Sequence, residues 1–227
     1  MRRLLLFDID GTLVRGGPAK EVFESAMSEV FGTAGNIAHH DFSGKTDPQI
    51  ARELLGDAGI SDEEMDTRFP KLWETYLAGL RKKLPQKPMT LLPGVDVLLE
   101  RLRSFEDVAL GLLTGNIVEG ARLKLGSVGL VDHFPVGGFG SDSEVREDLP
   151  AVAMERAREN WGIEFHPQSV VVIGDTPRDV ACGKYGGTRT VAVATGRFDE
   201  AALGQTGADH VLPDMTDLDG TVEALLR

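Results

Sequence analysis

Leu4-Leu5-Leu6-Phe7-Asp8-Ile9-Asp10-Gly11-Thr12-Leu13 decides how the rest of this chain is read. The apolar run Leu4 to Phe7 reads as a buried parallel strand. Asp8 and Asp10 follow two positions apart as that strand ends, where alternation points both side chains the same way. Two like charges that close invite a cation. Gly11 then permits a sharp turn, and Thr12 offers a hydroxyl for local hydrogen bonding. Taken alone, Asp8 to Thr12 would also suit a turn with exposed acids; the apolar strand in front of it argues against that.

Two more apolar runs, Val108 to Leu113 and Val170 to Ile173, end at polar or glycine-bearing loops and are followed by helical patterns. Thr190 to Ala194 and the weaker His210 to Leu212 extend the series. Helices are expected near Val95–Ser104, Val118–Val128, Leu149–Trp161 and Asp179–Tyr185. Such alternation implies an α/β fold, a doubly wound, Rossmann-like parallel sheet whose ligands bind at the carboxyl ends of the strands. Between the first strand and Leu91-Leu92-Pro93-Gly94 there is no strong strand candidate. Helical patterns lie instead around Lys20–Phe31, Pro48–Asp57 and Asp62–Lys83. A crossover needs only about a dozen residues, so this stretch of about 75 predicts an inserted helical cap over the site. The expected division is a core of residues 1–14 and 91–227 and a cap of residues 15–90.

The other strand ends carry polar groups too. Thr114-Gly115-Asn116 precedes a helix, and a hydroxyl with free backbone N–H groups at a helix start suits a phosphate oxygen. The same tripeptide is also ordinary turn and N-cap chemistry. Gly174-Asp175-Thr176-Pro177-Arg178-Asp179 again puts an acid at a strand end, with Pro177 suited to start a helix. Asp175 can ligate a hard cation, and Asp179 can support that ligand or cap the helix.

In this order the motifs resemble the haloacid dehalogenase superfamily, in its phosphatase branch related to phosphoglycolate phosphatases. Asp8-Ile9-Asp10-Gly11-Thr12 matches its first motif, Thr114-Gly115-Asn116 its second, and Gly174-Asp175-Thr176 with Asp179 its fourth. The resemblance implies a magnesium-dependent phosphatase. Asp8 would attack phosphorus and Asp10 would act as acid and then base. Asp8, the Asp10 backbone carbonyl and Asp175 would bind Mg2+, with Asp179 behind them. Thr114, Gly115 and Asn116 would hold phosphate oxygens. The family's third motif supplies a lysine; here Arg146 stands in the corresponding segment, with Lys124 and Lys184 as rival cations on helix faces. Arginine keeps the charge but binds as a planar fork.

In the cap, Lys45 lies in Phe42-Ser43-Gly44-Lys45-Thr46-Asp47 and could meet an anionic substrate, while Thr46 and Asp47 suit capping the helix that follows. A phosphonate-cleaving branch uses a cap lysine for a Schiff base but lacks the second aspartate. Hydrolytic dehalogenases need neither magnesium nor the acid at Asp10. Phosphomutases share both aspartates but often carry Val where Thr12 stands. A noncatalytic binding protein would be expected to have lost Asp8, Asp10 or Asp175. His39 and His40 are expected to be solvated, and Trp73 with Tyr76 and Leu80 to be core.

Composition narrows the partners. A net charge of −12 with no Lys/Arg cluster disfavours nucleic acid. The single cysteine, Cys182, makes no internal disulfide and suits a reducing cytoplasm. No stretch approaches the roughly 18 apolar residues of a membrane span. The expected partner is a small phosphorylated metabolite, and the expected state a monomer or weak homodimer.

Overall fold

The computed structural model describes residues 2–227. Six parallel strands form one sheet: β1 (Arg3–Phe7), β4 (Val108–Thr114), β5 (Val136–Phe139), β6 (Val170–Gly174), β7 (Arg189–Val193) and β8 (His210–Leu212). Their spatial order is β5-β4-β1-β6-β7-β8. The chain thus runs outward from β1 to one edge, then returns to its other side and continues to the opposite edge, as a doubly wound sheet does.

Helices cover both faces: α4 (Val95–Arg103), α5 (Val118–Gly126), α6 (Leu149–Trp161), α7 (Pro177–Tyr185), α8 (Glu200–Gly204) and α9 (Leu218–Leu226). Strand alternation divides the core. Leu5 and Phe7 join one cluster with Leu98, Leu125 and Leu225, whereas Leu4 and Leu6 join a second with Leu149, Ala153 and Cys182. All four strand residues are fully buried, which explains an unbroken apolar run rather than an alternating one.

Between β1 and β4 lie α1 (Ala19–Phe31), α2 (Asp47–Asp57) and α3 (Asp62–Lys83). α1 packs on α3 through Phe23, whose ring meets Trp73 at 6.1 Å and Tyr76 at 5.2 Å. Two short strands bracket these helices: β2 (Val14–Gly16) pairs antiparallel with β3 (Met89–Leu91). The expectation of no strand there is corrected on this point. At three residues each, these strands are too short for a periodic signal, and they tie the outgoing and returning chain together.

The sheet holds one strand more than the apolar runs predict. β5 is Val136-Gly137-Gly138-Phe139, and its glycines conceal it. A Cβ on Gly138 would collide with the Leu149 carbonyl oxygen, and one on Gly137 with Leu112, so the close approach of α6 and β4 requires them. Among the described residues no helix is long and apolar enough to cross a membrane.

Candidate active site

β4, β1 and β6 are neighbours in the sheet, so their carboxyl ends bring Thr114, Asp8 and Asp175 together. The Asp8 backbone N–H donates to the Ile173 carbonyl at 2.8 Å, holding the loop after β1 against the end of β6. Thr12 does not bond locally as expected. Its hydroxyl donates at 3.2 Å to Asp175, 163 positions away. Gly11, at φ 94°, and Gly196 both lie against the Asp175 carboxylate, where a Cβ on either would collide with it.

Arg146 is 4% exposed and sits on a single turn leading into α6. Its guanidinium donates to Asp8 Oδ1 at 3.0 Å and also to Asp179 Oδ1. The second Asp179 oxygen accepts the Thr176 N–H at 2.9 Å and its hydroxyl at 2.7 Å, closing a capping box that starts α7. Burial opposes the Arg146 charge, but Asp179 and Asp8 outweigh it and raise its pKa further. Lys184 lies elsewhere, exposed and donating to the Thr206 carbonyl at 2.8 Å.

The reading of Asp8 and Asp10 as a pair aimed at one cation is corrected. The Asp10 carboxylate accepts from Lys124 Nζ at 2.6 Å and Asn116 Nδ2 at 2.8 Å. Lys124 also donates to Asn116 Oδ1 at 2.5 Å and is 4% exposed, so it belongs to the site rather than to an outer helix face. Burial lowers its pKa but Asp10 and Asp47 more than reverse this.

Asp8, Asp175 and Asp179 each offer an oxygen, all within 4.8 Å of one another. Burial first, then the neighbouring Asp179, lifts Asp8 to about 7 and Asp175 to about 8. Arg146 alone does not balance three clustered carboxylates. With Asp179 engaged on both oxygens, Asp8 and Asp175 are the side chains left to receive a further cation. Hard oxygen donors in a glycine-lined niche fit Mg2+.

A cavity of about 360 Å³ opens over these groups. Asp8, Asp10, Thr114, Gly115, Asn116, Lys124 and Asp175 line it. Lys45 also lines it and pairs with Glu53. Thr46 caps α2 through Gln49 N–H at 3.2 Å, as expected, while its hydroxyl donates to the Glu144 carbonyl at 2.8 Å.

Asp47 does not cap α2 as expected; Thr46 takes that place. The Asp47 N–H donates to the Gly115 carbonyl at 2.7 Å, and its carboxylate accepts the Ile117 N–H at 2.9 Å. Burial is the main cause that raises Asp47 to about 6, against the pull of Lys124. A Cβ on Gly115 would collide with the Lys45 carbonyl oxygen, so this glycine lets the two loops touch. Two further expectations change. His40 is not solvated, since it packs on Phe42 with ring centroids 5.5 Å apart and lies 3.3 Å from Glu53. Tyr76 is core, yet it also lines the cavity.

Comparison with known proteins agrees with this geometry. The pattern defining haloacid dehalogenase-like hydrolases matches residues 5–193. A phosphoglycolate phosphatase of Synechococcus elongatus is 30% identical over 223 residues, covering 98% of each chain. A hydrolase from Pseudomonas syringae aligns over 100% of both chains with a TM-score of 0.73 at 20% identity. A putative β-phosphoglucomutase from Thermotoga maritima, also 20% identical, covers 99% of this chain and 100% of its own, with a TM-score of 0.63. At that identity the last two speak for the fold alone. The family match spans the strands that carry Asp8, Thr114 and Asp175, and with it this chain belongs to the haloacid dehalogenase-like hydrolases.

Proposed function

We propose that this protein is a Mg2+-dependent phosphatase that hydrolyses small phosphate monoesters through a phosphorylated Asp8. The observation that carries this reading is the setting of Asp8: a buried carboxylate on Arg146, beside Asp175, lining a cavity that also holds Asp10. The Synechococcus elongatus relative, named a phosphoglycolate phosphatase, makes phosphoglycolate the first substrate to try.

In the first half-reaction an Asp8 carboxylate oxygen attacks phosphorus, and the ester oxygen leaves with a proton from Asp10. In the second, Asp10 takes a proton from water, which attacks the same phosphorus; phosphate departs and Asp8 is restored. Lys124 and Asn116 hold the Asp10 carboxylate in place for both steps. Arg146 offsets charge at Asp8, while Thr114, Gly115 and Asn116 receive phosphoryl oxygens and Lys45 the distal part of the substrate. Mg2+ held by Asp8, Asp175 and the Asp10 carbonyl would neutralise charge on the phosphoryl group, with Asp179 supporting Asp175 from behind.

In the same proposal residues 15–90 are the cap and residues 1–14 with 91–227 the catalytic core. The lone, buried Cys182, its thiol pushed up to about 12 mainly by burial, suits a cytoplasmic protein without disulfides, and the proposed state is a monomer or weak homodimer. A phosphate-release screen over small phosphate esters, with and without Mg2+, tests the function. Wild-type protein should release phosphate only with the metal, and Asp8→Asn should lose at least about a thousandfold in turnover. Equal activity in Asp8→Asn would reject the nucleophile.

A further inference from the structure

We infer that the cap side of the cavity is a leaving-group subsite for an alcohol longer than two carbons that carries a neutral oxygen, to which the Tyr76 hydroxyl donates. This rests on the phosphatase reading above and goes beyond it in naming the class of ester.

Tyr76 stands on α3, is 2% exposed and opens to the cavity. Its ring packs edge-on against Phe23 at 5.2 Å, which fixes where the hydroxyl points. That hydroxyl makes no hydrogen bond within the described residues and is open to the cavity, free to donate to a ligand there. Burial, then the charges of Asp47 and Asp10, keep its proton bound well above the ordinary range, so it serves as a donor. Lys124 is matched by Asp10 and Lys45 by Glu53, so no unpaired cation stands beside the hydroxyl to draw a second carboxylate, and a hydroxyl or carbonyl oxygen is favoured.

Beside Ser43 and Lys45, whose ammonium is paired with Glu53, much of the remaining wall is hydrocarbon. Ala19, Phe23, Phe42 and Ile50 face the cavity, and the Lys20 ammonium lies 5.0 Å over the Phe42 ring at its rim. At about 360 Å³ the space is far more than a phosphate and a two-carbon leaving group fill. A short acid such as glycolate would leave the aromatic wall uncovered and the Tyr76 hydroxyl unpaired. A chain of about four carbons ending in a hydroxyl would meet both, and a site built around a hydrogen bond discriminates against analogues lacking the oxygen.

The test compares 4-hydroxybutyl phosphate, butyl phosphate and 2-hydroxyethyl phosphate, whose leaving alcohols are similar in acidity, on the Mg2+-loaded enzyme. Wild-type kcat/KM should be about tenfold higher for 4-hydroxybutyl phosphate than for either comparator. Tyr76→Phe, which keeps the ring, should erase most of the advantage over butyl phosphate, with the loss carried by KM. Phe42→Ala should erase the advantage over 2-hydroxyethyl phosphate. If all three esters are hydrolysed equally and both variants lower them in parallel, the subsite is overturned while the phosphatase stands. Release from none of these, with phosphoglycolate also inert, overturns both.

Discussion

Arg146 makes the same guanidinium serve two carboxylates, Asp8 and Asp179, with almost no solvent to share the charge. Removing it leaves buried negative charge uncompensated, which is worse than never having had the pair. Arg146→Ala should therefore destabilise the fold by about 3–5 kcal/mol in denaturant unfolding and depress turnover on every substrate. Arg146 meets both carboxylates through Nη2; Arg146→Lys keeps a charge but not the planar guanidinium that holds that nitrogen between them, and should recover stability more than turnover. Near-normal kinetics in Arg146→Ala would remove it from the site. Asp8, Thr114 and Asp175 were legible as candidates because each ends an apolar strand. Lys124 and Asp47 were harder to place. Their partners Asp10 and Ile117 lie 114 and 70 positions away, and helical spacing or capping accounts for each residue locally.

Among the elements, α3 and α6 coincide with their expected spans, Asp62–Lys83 and Leu149–Trp161, since amphipathic periodicity and N-cap or proline starts act within a few residues. β5 is hidden because its glycines answer to α6, not to strand propensity. β2 and β3 are defined by each other. The loop from Phe42 to Asp47 is an element of the same kind, since it is shaped by contact with the loop after β4. Gly115→Ala would force the Lys45 carbonyl away, and overpacking of this sort costs about 1–3 kcal/mol. The expected outcome is a lower melting temperature together with a raised KM, as the two loops part. An unchanged KM would mean that this contact does not shape the cavity.

For the whole molecule, the acidic cluster links stability to pH and metal. Asp8 and Asp175 have folded pKa values raised from 3.8 to about 7 and about 8. The folded protein holds protons that the unfolded chain has released, so their contribution is full below pH 3.8 and is lost as pH rises through about 7 and about 8. Metal-free protein should thus lose stability across that window. Mg2+ should raise the melting temperature more at about pH 8, where Asp8 is largely and Asp175 about half ionised, than at about pH 5, where both hold their protons. An equal rise at both would separate the metal from these carboxylates.

The central claim is that Asp8 becomes phosphorylated during turnover. Enzyme mixed with a 32P-labelled ester and Mg2+, then quenched in acid, can be digested and its labelled peptide identified. The account predicts a hydroxylamine-labile phosphate on the peptide containing Asp8, absent in Asp8→Asn and, with an aryl phosphate whose leaving group departs without a proton, more abundant in Asp10→Asn, where water activation fails. Phosphate release at the wild-type rate with no label on the protein, or label that persists in Asp8→Asn, would contradict it.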